Sequence, residues 1–108
     1  MKLLETYLVE LNNEMDKLLS KYTVITYNNP KDIKIGLLRF NEPPKGKAFL
    51  FIFPKEDILH FHTIGMKFPV IIHFFNSKKE IIQTHTVKPG IKDVSSNKLA
   101  KYVVEVPA

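Results

Sequence analysis

The sequence predicts an α+β fold that is mostly antiparallel β, a small curled sheet or barrel-like sandwich with one long N-terminal amphipathic helix laid against it. Three observations carry this expectation. Apolar residues recur at spacings of three and four over residues 2–21. About six short runs rich in β-branched and aromatic residues follow, joined mainly by short turn-forming stretches. No strand-helix-strand alternation runs through the second half, so the strands are expected to pair antiparallel.

In residues 2–21 the stripe is Leu3, Leu4, Tyr7, Leu8, Leu11, Met15, Leu18 and Leu19, with Glu5, Glu10, Asn12, Asn13, Asp16 and Lys17 between. About five helical turns are expected, burying Leu4, Leu8, Leu11, Met15 and Leu18 against the sheet or, as the alternative, against a second copy in a homodimer. Tyr22–Tyr27 is β-branched and aromatic and reads as a strand, ended by Asn28-Asn29-Pro30. Pro30 suits the first position of a short helix that places Ile33, Leu37 and Leu38 on one side before Gly36 and residues 41–47 loosen the backbone. Ala48–Phe53 is continuously apolar, a strand buried on both faces and ended by Pro54, with Lys55-Glu56-Asp57 a polar loop. Leu59–Ile64 is expected as a strand with His60 and His62 on one face and Phe61 on the other. Gly65–Pro69 bends the chain into a strand over Val70–Phe75, which turns at Asn76-Ser77-Lys78-Lys79 into a hairpin partner over residues 80–87. Residues 88–97 read as loop, and Ala100–Val106 as a closing strand with Tyr102 and Val104 opposite Val103 and Glu105.

At 108 residues the chain is expected to form one domain over residues 1–108, large enough to bury about two thirds of its extended surface. It has no cysteine, which excludes disulfides, thiolate nucleophiles and thiolate metal sites. Acidic residues interrupt the N-terminal apolar stretch and no run is long enough for a membrane span, so a soluble, cytoplasmic protein with no membrane partner is expected. The net charge of +5 favours anionic partners, yet the lysines are scattered and Arg39 is the sole arginine, which argues against a nucleic-acid reader.

Gly36-Leu37-Leu38, Phe49-Leu50-Phe51-Ile52-Phe53-Pro54, Phe61-His62-Thr63-Ile64-Gly65-Met66-Lys67-Phe68-Pro69, Ile81-Ile82 and Tyr102-Val103-Val104-Glu105-Val106-Pro107-Ala108 together resemble the domain-of-unknown-function family numbered 192. The resemblance spans roughly residues 22–108 and leaves the N-terminal helix outside. It implies a small, mostly β domain and no established activity. The family usually carries an arginine where this chain has Ile35 and an aspartate where it has Ile71. Two charges that could have paired are thus both replaced, so Ile35 and Ile71 are expected on the same side of the structure with an apolar region between them.

His60, His62, His73 and His85 raise the question of a metal. If Ser77-Lys78 is the hairpin tip, His73 opposes Ile82 and His85 opposes Val70, which puts the two histidines on opposite faces. No carboxylate sits at ligand spacing with His60 and His62, and neither a metal nor a cofactor is expected. No serine has a glycine-framed elbow, no glycine loop cradles phosphate, and Glu56-Asp57 reads as a solvated pair, so no catalytic residue is assigned. Phe49, Phe51, Phe53, Phe61, Phe68, Phe74 and Phe75 could stack on single-stranded nucleic acid, but most are needed to fill the core of a chain without tryptophan. The expected function is a non-enzymatic binding or interaction module with a cleft beside Arg39, His60, His62, Thr63 and Lys67. The alternatives are a small enzyme acting on a polar or anionic substrate, with His62 as acid or base and Arg39 or Lys67 holding the anion, and a weak nucleic-acid binder.

Overall fold

Asn13 caps the first helix of the computed structural model, which describes residues 11–108. Its side-chain oxygen accepts from the Asp16 backbone N–H at 2.8 Å, and α1 (Glu14–Leu19) runs only six residues. The long helix expected over residues 2–21 lies partly outside the described residues, and within them it is replaced by this short one. Asn12 and Asn13 explain the difference: asparagine bonds to nearby backbone outside a helix, so it starts helices better than it continues them. Met15 and Leu19 are fully buried on this chain's own sheet, whereas Leu11, expected in the stripe, is 63% exposed.

The chain then lays down β1 (Thr23–Tyr27), α2 (Pro30–Ile35), a 3₁₀ turn (Gly36–Arg39), β2 (Lys47–Asp57), β3 (His60–Phe61), β4 (Val70–Phe75), β5 (Ile81–Val87), β6 (Val94–Ser95) and β7 (Ala100–Pro107). Five strands form one sheet in the order β1-β2-β7-β4-β5, and β3 pairs with β6 in a separate two-stranded ribbon. The main sheet is mostly antiparallel but open, with β1 and β5 as its edges, so the barrel-like closure expected from the sequence does not form. β1 and β2 run parallel, because α2 and the 3₁₀ turn make a crossover between them. The strand expected over Leu59–Ile64 shrinks to His60–Phe61, since the chain turns at Thr63, whose N–H and C=O are taken by Ile91 and by Met66 and Gly90.

Alternation of side chains along each strand builds a core on both faces of the sheet. Phe49, Phe51, Ile72, Phe74 and Val103 point to one face, where Leu37, Met66 and Phe68 cover them. Ala48, Leu50, Phe75, Val104 and Val106 point to the other, covered by Met15 and Leu19 of α1. Phe49, Phe51, Phe74 and Phe75 are at most 1% exposed, which removes them from any stacking platform for nucleic acid. No helix among the described residues is long and apolar enough to cross a membrane.

Candidate functional site

A cleft of about 230 Å³ opens between the crossover and the β3 ribbon, on the sheet face that carries Phe51. Two elements make its walls. Asn29 caps α2 through Asp32 N–H at 2.9 Å and Pro30 opens its first turn, so the helix starts where the sequence expects it. Gly36, at φ +50°, then breaks α2 into the 3₁₀ turn, and an added Cβ would stand 3.7 Å from the Phe51 ring. On the opposite wall Phe61 meets Phe51 edge-on at 5.4 Å and Phe53 at 6.1 Å, and Met66 closes the end.

The floor is Glu105. It sits mid-strand in β7, in register with Phe49 on β2 and Ile72 on β4, and the pleat turns it toward the same apolar face as Val103. Only 4% exposed, it lines the cleft and has no hydrogen-bond or ion-pair partner among the described residues. Burial pushes its carboxyl up to about 8, because no neighbouring donor or cation offsets the lost hydration of the charged form. At neutral pH it is therefore mostly a neutral acid, able both to donate and to accept.

At the mouth stand His60, His62 and Lys34. His60 Nδ1 lies 3.1 Å from Asp93 Oδ1 and 2.8 Å from Ser95 Oγ. Ser95 Oγ donates to Asp93 in a short bond, so His60 Nδ1 is the donor to this pair and Nε2 is left without a partner among the described residues. The Ser95 hydroxyl, and after it His60, hold the Asp93 carboxylate below its usual range. His62 Nδ1 instead accepts from Ile64 N–H at 3.2 Å.

Of the five residues expected at the site, the fold thus brings His60 and His62 to one cleft. Arg39 lies elsewhere, its guanidinium 5.5 Å from the centre of the Tyr27 ring and 4.0 Å from Asp32. Thr63 is buried and structural: its hydroxyl donates to Lys88 C=O at 2.7 Å and accepts from Ile91 N–H at 2.9 Å, tying two loops together. Lys67 is exposed and does not line the cleft. Neither Arg39 nor Lys67, the anion holders of the enzyme reading, lines the cleft. Glu105 was missed, although a lone carboxylate inside Val103-Val104-Glu105-Val106, on the face of Val103, is the kind of buried polar group that marks a site.

Two further expectations meet the geometry here. His73 pairs with Thr84 and His85 with Ile72, so they do occupy opposite faces, but the register is two residues off because the turn is longer and a bulge follows Phe74. No group of three potential ligands is placed to hold a metal among the described residues. Ile35 and Ile71 do not share a side: Ile35 lines the cleft, whereas Ile71 packs into the core on the far face with Phe75 and Val106. One residue step along β4 reverses the face, so a pairing inferred without the register fails.

No curated protein matches this chain. Among solved structures, a Sinorhizobium meliloti 1021 protein described as a candidate transcription regulator is similar over 81% of this chain and 69% of its own, at 21% identity and a TM-score of 0.74. A Novosphingobium aromaticivorans protein of unknown function is similar over 81% of this chain and 64% of its own, at 13% identity and a TM-score of 0.74. At these identities the likeness is one of fold. The family model of DUF192, described as "Uncharacterized ACR", matches residues 10–108, which takes in α1 as well as the β domain. The chain belongs to the DUF192 family.

Proposed function

We propose that this protein is a non-enzymatic binding module whose ligand occupies the cleft above Glu105. The observation that supports this reading is a buried carboxyl with no partner, opening into an apolar hollow. The carboxyl reaches the cleft with no protein donor or cation beside it, so a ligand that supplies one adds a hydrogen bond or ion pair on binding. The hollow is below the usual size for drug-like ligands and above the roughly 150 Å³ that holds a benzene, so the ligand is compact, with roughly six to ten non-hydrogen atoms. His60 and His62 contact it at the mouth, and Thr63 serves by anchoring the loop that carries them.

A library of compounds of that size, followed by NMR, tests the reading. Binders are expected to shift the Met66 methyl and the His60 and His62 ring resonances, and Ile35→Phe, which fills the cleft from its wall, should abolish those shifts. Shifts confined to other surfaces, or a library with no binder, would sink it. An enzymatic reading has one observation in its favour, the bare His60 Nε2 held at the mouth by Asp93 and Ser95. It predicts turnover of a bound compound that His60→Gln eliminates without loss of binding, and binding without turnover counts against it.

A further inference from the structure

We propose that the ligand of this cleft is a small primary ammonium with an apolar body, its –NH₃⁺ seated on the Glu105 carboxylate and its body between Phe51, Phe53 and Phe61. This rests on reading the cleft as a ligand site.

The charged groups around Glu105 single out a cation as the missing partner. On β1 the nearest is Tyr27, uncharged at neutral pH, since burial raises its phenol above the usual value. Arg39 and Asp32 stand beyond that ring and engage each other. From α2 comes Lys34 at the mouth, and from the ribbon His60, tied to Asp93, and His62, tied to Ile64 N–H. The facing residues of β2 and β4, Phe49, Phe51, Val70, Ile72 and Phe74, carry no charge, and His85 of β5 stands edge-on to Phe74 at 6.2 Å. None of these forms an ion pair with Glu105.

An inorganic cation does not fit. Ca²⁺ and Mg²⁺ need about six oxygen ligands, and one carboxyl among phenyl rings cannot replace that shell. A ligand carboxylate would engage only the protonated acid and lose affinity as pH rises toward 8, and an alcohol or amide would add only neutral hydrogen bonds. An ammonium gains a charge-assisted bond in a largely apolar cleft, places its positive charge among aromatic rings, and leaves a third N–H for His60 or water at the mouth. The proton balance is explicit: the ammonium enters charged, the Glu105 carboxyl loses its proton to the buffer, and one ion pair forms with about one proton released at and below neutral pH.

Calorimetric titration with 2-phenylethylamine, 2-phenylethanol and phenylacetate, at pH 6, 7 and 8 in phosphate and in HEPES, tests this. The amine is expected to bind at least tenfold more tightly than the alcohol at pH 8, to gain about tenfold in affinity per pH unit up to that point, and to release a proton that the two buffers reveal. Glu105→Gln should bring the amine down to the level of the alcohol and remove the proton release, and an unchanged circular dichroism spectrum with a cooperative thermal melt shows that the variant folds. An alcohol or phenylacetate that binds as well as the amine overturns the ammonium assignment and leaves the cleft a ligand site. Amine binding without proton release, or indifferent to Glu105→Gln, overturns it as well. If none of the three binds in the cleft, the reading beneath it falls too.

Discussion

Two carboxylates are buried in the described residues, and they live in opposite surroundings. Asp16, fully buried, accepts from the Asn13 side-chain amide at 3.1 Å and lies 3.7 Å from the Lys79 ammonium. Glu105 has neither a donor nor a cation, and its carboxyl is raised from an ordinary 4.5 to about 8. An acid that titrates higher in the folded state than in the unfolded chain binds the extra proton only when folded, so its contribution to stability is intact below pH 4.5 and is lost as pH rises toward 8. Burial depresses the His73 imidazole, which works the other way and lowers stability only as pH falls below its ordinary 6.5. Between these limits Glu105 dominates, and unfolding free energy should drop by about 2 kcal/mol from pH 6.5 to 8. Thermal melts across that range check it: the parent should lose melting temperature, Glu105→Gln should be flat, and a parent profile that is flat or rises would show that Glu105 is not held neutral.

At the level of elements, α1 earns its place by two side chains rather than by length. Met15 is fully buried against Phe75, Val104 and their neighbours, and truncating such a methionine to alanine removes transfer energy and leaves a cavity, so Met15→Ala should cost about 2–5 kcal/mol. Leu11 lies before the Asn13 cap and is largely exposed, so Leu11→Asp should stay within about 0.5 kcal/mol of the parent. Chemical denaturation of the two variants distinguishes this short docked helix from the long buried stripe that the periodicity suggested, for which Leu11→Asp would be the damaging change. β2 shows a related effect. It was expected to stop at Pro54, yet it continues to Asp57, because its pairing with β1 ends at Phe51 and its register with β7 is interrupted between Ile52 and Asp57. A proline there forfeits no ladder hydrogen bond.

Across the whole molecule, the sheet separates two cores that share a backbone but no side-chain contact surface. Ile35 belongs with the cleft and Ile71 with the core under α1. Ile35→Arg and Ile71→Asp should therefore be independent: each destabilises by its own burial, and a double-mutant cycle should close within about 0.5 kcal/mol. A larger favourable coupling would mean that the two charges reach each other through the sheet, contrary to this topology.

Most of the strands were legible from the sequence, because a run such as Ala48–Phe53 or Val70–Phe75 can bury its side chains only in a sheet with cores on both faces. The α2 start was legible for the same local reason, a cap and a proline within two residues. That His60 and His62 line one cleft was legible because only one residue separates them in the chain. The rest depended on partners distant in sequence. Whether β1 would run parallel to β2, whether the sheet would close, and which face Ile71 would take are matters of register and crossover, and a single-residue slip inverts them. Glu105 was printed in plain view, but a carboxylate on a strand becomes a cleft floor only when a helix, a ribbon and two neighbouring strands surround it without offering a donor, and that is a property of the assembled tertiary structure alone.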